Sequence, residues 1–336
     1  MVVRQPSDTD NEARKVALIV DPRQPRHVSD HAVLEAEHSF LTDPHVFPAR
    51  LQGLARLSNL ILTPLYKGTK RRLPASIPAP RLSRQYHCYF AVLMGPSWRK
   101  CLPFFLNGCR NSIYLFDAWP NTHQDIRRLV QQFNVSDVFV SSSQAAAQLN
   151  SYEDATTYHW IPEGIIPNQY RNLPYRSRKI DVLQLGRKYD LYHSAIADGL
   201  LREGRTYLYE KRPGDIIFPS REAFLNGLAH SKISICVPSN ITHPERAGEI
   251  ATMTLRYLQS MASKCLIVGH APPEMDSLFG YESVVPVDLE RPFDQLSQIL
   301  ASYENYLPLI ERNYCTVCNA HTWNDRWRAI RTKLGI

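Results

Sequence analysis

The chain has 336 residues, 44% of them hydrophobic and 21% charged, with 39 Lys or Arg against 32 Asp or Glu and a formal net charge of +7. Such a length leaves room for two domains of about 150 residues, each with its own core, and the apolar content argues for a globular protein. No run approaches the ~20 apolar residues that span a bilayer, and the opening MVVRQPSDTDNEARK lacks the apolar centre of a signal peptide, so a cytoplasmic protein is expected.

In chain order, residues 1–14 are polar and read as a disordered tail. VALIVD (16–21) reads as a buried first strand, and residues 29–41 as a helix with Ser29 as its cap. A long irregular basic stretch follows, broken by Pro64, Pro74, Pro78 and Pro80. Between Pro44 and Phe116 there is no Asp or Glu and there are eleven Lys or Arg, among them Lys70, Arg71 and Arg72. A one-signed segment makes a positive field that attracts nucleic acid, anionic lipid or a phosphorylated acceptor; a solvated loop around KGTKRR is the alternative.

Strands return at YFAVLM (89–94), SIYLF (112–116), DVFVSS (137–142) and HWIP (159–162), with helical runs such as THQDIRRLVQQF between some of them. That alternation predicts an α/β fold with a parallel sheet covered by helices. NQYRNLPYRSRK (168–179) has no apolar period and reads as a linker. Afterwards the pattern restarts with IDVLQL (180–185) and continues through TYLYE, KISICV, CLIVG and SVVPV. The predicted organisation is a first domain over 15–167, the linker over 168–179, a second domain over 180–318, and a closing helix over 319–336 that packs back on the first domain. Two α/β halves in tandem leave a cleft between the carboxyl ends of their sheets.

The most informative stretch runs from Lys232 to Gly269: a buried strand, a polar loop, the helical run IATMTLRYLQSMASK and a second buried strand. Leu255, Leu258 and Ala262 share one helix face, Thr252 and Thr254 stand near its start, and Arg256 lies in its early part. A helix that starts beyond a strand end offers backbone N–H groups and a positive pole to an anion, and phosphate is its natural ligand. The alternative is an ordinary core crossover with one of the threonines as cap. Seven scattered cysteines, several in apolar runs, fit a reducing compartment. Cys315 and Cys318, followed by His321, have the spacing of half a zinc site or a redox pair; with no second ligand pair, two thiols on a helix and no metal are expected.

WIPEGIIPNQYR, IDVLQLGRKYD, ICVPSN, TLRYLQSMASKCLIVG and HTWNDRWRAI, in that order, resemble segments of the group 1 glycosyltransferases. The likeness spans roughly residues 85–336 and is strongest after 158. It implies a GT-B fold, two facing Rossmann-like domains with a cleft between them, and transfer of a sugar from a nucleotide-diphosphate sugar to a glycan, lipid-linked or small-molecule acceptor, as in polysaccharide biosynthesis. It also implies that Gly186, Arg187 and Lys188 contact the diphosphate, that Gly248, Glu249, Thr252, Thr254 and Arg256 hold the rest of the donor, and that no metal or other cofactor is obligatory. Arginine forks and N–H groups suit phosphate oxygens.

One departure concerns a Glu-x7-Glu pair that many relatives use on donor sugar and ribose hydroxyls: here Gln259 and Ala251 hold those positions. Gln259 still hydrogen-bonds a hydroxyl, without charge, and Glu249 is the nearest substitute. A non-catalytic GT-B relative is therefore the second reading, and a nucleic-acid-binding α/β protein the third. On the acceptor side, Asp117 closes a strand, with Trp119 and His123 behind it; Asp117 is the first candidate for a general base and His123 the second, against a turn carboxylate before Pro120. Ser97, Trp98 and Arg99, past another strand end, are candidates for the acceptor groove, as is Trp119. The basic segment implies peripheral contact with the anionic inner surface of a membrane.

Overall fold

The computed structural model describes residues 15–20, 30–68, 86–106, 109–152, 154–186, 188–212 and 215–336; the 1–14 tail, Ser29, Lys70, Arg71, Arg72 and Arg187 lie outside them. The first domain contributes six strands: β1 (Val16–Val20), β2 (Val46–Arg50), β3 (Cys88–Met94), β4 (Arg110–Phe116), β5 (Val135–Val140) and β6 (Thr157–Trp160). They pair in the order β2-β1-β3-β4-β5-β6, every neighbour parallel. Helices α1 (Asp30–Phe40), α2 (Gly53–Gly68), α3 (His123–Gln132) and α4 (Ser143–Asn150) accompany them. β1, β3 and β4 are buried on both faces along almost their whole length, which is why they read as unbroken apolar runs.

The second domain contributes β7 (Ile180–Gln184), β8 (Tyr207–Leu208), β9 (Ser231–Cys236), β10 (Leu266–Gly269) and β11 (Val285–Pro286). Their order is β11-β10-β9-β7-β8, again all parallel. Its helices are α5 (Asp190–Arg202), α6 (Arg221–His230), the short α7 (Ser239–Thr242) and α8 (Pro244–Ala247), α9 (Leu255–Ala262), α10 (Glu274–Phe279), α11 (Pro292–Ala301) and α12 (Leu307–Ala320). Among the described residues no helix is long and apolar enough to cross a membrane.

Two expectations need correction. The stretch read as irregular holds β2 and α2. Pro48 is tolerated because β2 is the sheet edge, and α2 continues through Pro64, so the prolines misled. The helical run from Ile250 is also shorter than its period suggests: residues 251–254 are irregular and α9 begins at Leu255, after Thr254 with φ −91° and ψ 162°. The cysteines are free thiols; Cys315 and Cys318 both lie on α12. Burial and the adjacent Arg326 push the His321 imidazole down to about 4, and its ring stacks on Phe279 at 4.8 Å. No group of three or more metal-ligating side chains converges among the described residues.

The last helix, α13 (Trp323–Leu334), belongs to the first domain's core. Trp323, Trp327, Ile330 and Leu334 pack with Val16, Leu18, Phe40, Phe90, Tyr114 and Phe116. Trp327 stacks on Phe40 at 4.7 Å and donates its indole N–H to Asp43 at 2.8 Å, where Arg331 also donates at 2.8 Å. The helix starts on a capping box between Thr322 and Asp325.

The chain therefore passes between domains twice, and the two passes are bonded side by side. Ile165 N–H donates to the His321 carbonyl at 3.1 Å, and Trp323 N–H to the Ile165 carbonyl at 3.0 Å. Buried Arg326 braces both passes, donating to the carbonyls of Glu163 at 3.1 Å and Ala320 at 3.3 Å. A Cβ on Gly164 would lie 2.9 Å from the Thr322 carbonyl carbon and 2.9 Å from the Trp323 nitrogen, so only glycine lets the backbones approach this closely. Gly164→Ala is expected to destabilise the protein by about 1–3 kcal/mol, the usual cost of overpacking, visible as a lower thermal midpoint. An unchanged midpoint would show that the two passes separate freely.

Candidate functional site

A cavity of about 380 Å³ opens between the domains, at the carboxyl ends of β4 and β7. The first domain supplies Ala32, Met94, Phe116 and Asp117, and the pass between domains supplies Glu163. The second domain supplies Gly186, Thr254, Leu255, Arg256 and Gln259, with Glu210 and the 215–218 loop. Of the residues singled out in the sequence, Asp117, Gly186, Thr254, Arg256 and Gln259 thus meet around one space.

The α9 start forms one wall because the strand ends behind it hold Arg256. Its guanidinium donates to the Leu185 carbonyl at 2.6 Å and the Val237 carbonyl at 3.4 Å, just beyond β7 and β9. Gly186 has φ +70°, and a Cβ there would sit 3.3 Å from the Arg256 Nη1; glycine suits both the turn and the approach. Lys188 stands over the Tyr209 ring at 5.5 Å. Thr254 is the N-cap residue of α9 without a side-chain cap bond.

Thr252 is buried away from the cavity lining, and its hydroxyl donates to Glu274 at 2.8 Å. The Met253 N–H donates to the same Glu274 oxygen, while the other oxygen accepts from the Ser143 N–H and hydroxyl, both at 3.1 Å. Thr252 therefore works with Glu274 in joining the domains at the start of α4. The Ala251 N–H adds a 2.7 Å bond to Gln144. Gly248 and Glu249 are exposed on the preceding loop and do not line the cavity.

Asp117 immediately follows β4 with φ +52°, uncommon for a residue other than glycine. Its carboxylate accepts from Arg246 of α8 at 2.8 Å, and the same guanidinium lies 5.3 Å from the Trp119 ring centre. Behind this contact, Ala247 and Ile250 of the second domain enter the first domain's core. His123 is buried, outside the cavity lining. Its Nε2 is bonded to the Ala118 carbonyl at 3.1 Å, and burial lowers its proton affinity. It holds the 117–119 turn and does not line the cavity. Trp119 and Trp98 are core side chains, and Ser97 and Arg99 are exposed outside the cavity lining.

Gln259 donates to the Tyr170 hydroxyl at 3.2 Å. That hydroxyl donates to Glu35 at 2.9 Å, which also accepts from Ile166 N–H at 2.7 Å and Arg221 at 2.9 Å. Burial raises the proton affinity of Glu35, and these bonds oppose the rise.

Glu163 was not singled out in the sequence, although it sits inside WIPEGII. It is buried in the cavity wall, and its carboxyl is held well above the usual carboxylate range by burial first and then by Asp117 and Glu274, against a hydrogen bond from Leu255 and the charge of Arg256. A carboxyl between Pro and Gly at a domain junction was the available signal. Glu274, Arg246, Glu35 and Arg221 were missed because each has a partner more than a hundred residues away: Ser143, Asp117, Ile166 and Glu35 respectively.

Neither a scan against protein-family models nor a search of curated proteins finds a match. Solved structures do match. Anabaena Alr3699/HepE in complex with UDP-glucose aligns with a TM-score of 0.57 at 9% identity, over 96% of this chain and 100% of that one. Sucrose-phosphate synthase (tll1590) from Thermosynechococcus elongatus aligns at 0.57 and 12% identity, over 96% and 98%. A glycosyltransferase from Rickettsia africae aligns at 0.53 and 10%, over 96% and 98%. The chain has the GT-B fold, as the resemblance to the group 1 glycosyltransferases implied.

A carboxyl with raised proton affinity in the folded state binds more protons there than in the unfolded chain, so its contribution weakens as pH rises above the ordinary carboxylate range. The Glu163→Gln variant is expected to show a flatter fall of thermal midpoint between about pH 5 and 8 than the wild type. Parallel profiles for the two proteins would show that Glu163 is charged at neutral pH.

Proposed function

We propose that the chain is a glycosyltransferase that takes a nucleoside-diphosphate sugar in the second-domain wall of the cleft and passes the sugar to an acceptor on the first-domain side. The observation that carries this reading is the cavity itself, which combines the α9 start, the Arg256 guanidinium and the bare backbone of Gly186 on one side with Asp117 opposite. Helix N–H groups and an arginine suit diphosphate oxygens, and holding the charge that grows on the leaving diphosphate lowers the barrier. Ile216, Ile217 and Phe218 add an apolar wall suited to a planar base. Anabaena Alr3699/HepE, which shares this fold, has been solved in complex with UDP and with UDP-glucose, which supports the donor class.

In this reading Asp117 receives the acceptor proton or aligns the acceptor hydroxyl once Arg246 yields to substrate. Glu163, whose surroundings favour its protonated form, donates a hydrogen bond to a sugar hydroxyl when it carries that proton. Arg256, Lys188 and the helix start meet the diphosphate charge, so no metal is obligatory. The acceptor is a glycan, a lipid-linked glycan or a small molecule. One observation favours binding without turnover: Gln259, at the position where relatives carry a glutamate, is tied to the Tyr170 hydroxyl.

A thermal-shift panel of UDP, GDP, ADP and TDP sugars tests the donor: a ligand at a hundred times its dissociation constant stabilises by about 2.7 kcal/mol, and a panel with no shift would sink the reading. Release of nucleoside diphosphate without acceptor then separates an enzyme from a binder. Asp117→Asn is expected to lower turnover by about a hundredfold with donor affinity nearly intact. Full turnover in that variant would remove Asp117 from the chemistry.

A further inference from the structure

α2 turns apolar side chains to both of its sides. Ala55 and Leu62 enter the first domain's core, whereas Leu54, Leu57, Leu60 and Ile61 keep 72%, 58%, 63% and 68% of their surface accessible. Positions 54, 57 and 61 follow helical spacing and make one outward stripe, with Leu60 beside it. Asn59 fixes the helix by donating to the carbonyls of Arg99 at 2.7 Å and Leu102 at 2.8 Å. Those carbonyls belong to the segment that follows β3, whose last residue, Met94, lines the cleft.

The charges of the segment that carries this stripe have one sign. Arg56 on α2, Arg50 just before it and Arg99 beside it are exposed, and the sequence from Pro44 to Phe116 contains no acid at all. Glu37, near this region, is paired with Lys100 at 2.5 Å. A row of leucines flanked by arginines matches the boundary between acyl chains and anionic headgroups. A second copy fits less well, because a two-fold contact through α2 would set Arg56 against its own image with no acid from the segment to pair it. Nucleic acid would satisfy the arginines and leave the leucines without a role.

We propose that this face seats the protein on an anionic lipid bilayer, with Leu54, Leu57, Leu60 and Ile61 in the interface and the arginines at the level of the lipid phosphates. The docking stands whether or not the cleft transfers a sugar, since it uses none of the cavity residues.

The test is co-sedimentation with phosphatidylcholine vesicles, with and without roughly one third phosphatidylglycerol. The wild type is expected to pellet with the anionic vesicles at low salt, and about tenfold less as the Debye length shrinks toward ~3 Å at 1 M. Leu57→Glu with Ile61→Glu should cut partitioning at least tenfold, with the thermal midpoint unchanged because both side chains already face water. Should that double variant melt early, Arg56→Glu carries the test: it should weaken binding to anionic vesicles and leave the weak binding to neutral ones unaltered. A wild type that stays in the supernatant with anionic vesicles at low salt overturns the proposal. So does a folded double variant that pellets like the wild type, or a concentration-dependent dimer that the double variant abolishes.

Discussion

The close passage of Gly164–Ile165 past Thr322–Trp323 is the constraint on which the rest of this molecule depends. Two segments more than 150 residues apart exchange backbone hydrogen bonds there, and a missing side chain is what brings them into reach. Because Glu163 immediately precedes the contact and Arg326 grips its carbonyl, the wall of the cavity is positioned by the junction and not by either sheet alone. Burying that carboxyl so near Asp117 and Glu274 is unfavourable for a charge and tolerable for a neutral acid. The geometry of the junction thus sets the electrostatic character of the cleft floor.

Around that pivot the domains are held by polar contacts of unequal weight. The Asp117–Arg246 pair leaves more than a third of each side chain in water and is easily exchanged for solvent or substrate. Glu35 is different: it is almost wholly buried and gathers Tyr170, Arg221 and the Ile166 N–H, so separating those partners would strand a desolvated carboxyl. Glu274 similarly bridges α4 to the irregular segment before α9. The half-exposed Asp117–Arg246 pair is therefore the most readily exchanged of these contacts, and the buried carboxylates of Glu35 and Glu274 the firmest.

Much of the architecture was legible because fully buried parallel strands have to be apolar throughout. VALIV, CYFAVLM and SIYLF announce themselves, and so does the α9 crossover, whose Leu255, Leu258 and Ala262 alternate with polar neighbours at helical spacing. β2 and α2 were hidden by their prolines: an edge strand has no hydrogen-bonding need on one side, and α2 is apolar on two faces, so neither shows a clean period. At the cleft, Arg256 was visible as local chemistry at a helix start, and Gly186 through the family resemblance. The use of Thr252 as a partner for Glu274, and of His123 as a support for the Ala118 carbonyl, was not, because both depend on atoms that only folding brings near.

The way α13 enters the first domain's core changes how the chain should be divided. Trp323 and Trp327 lie against Phe40 and Phe90, so the segment up to Gly164 and the segment after Thr322 make up one folding unit, and everything between them is a cassette whose entry and exit stand side by side. A cassette mounted in this way enters and leaves its host at one place, since its two ends meet across a single β-bridge, while Ala247 and Ile250 still pack into the host's core. The host, by contrast, is not complete until the last helix has been made: during synthesis the ring pocket around Phe40 and Phe90 waits for two indoles that arrive after the whole second sheet has emerged.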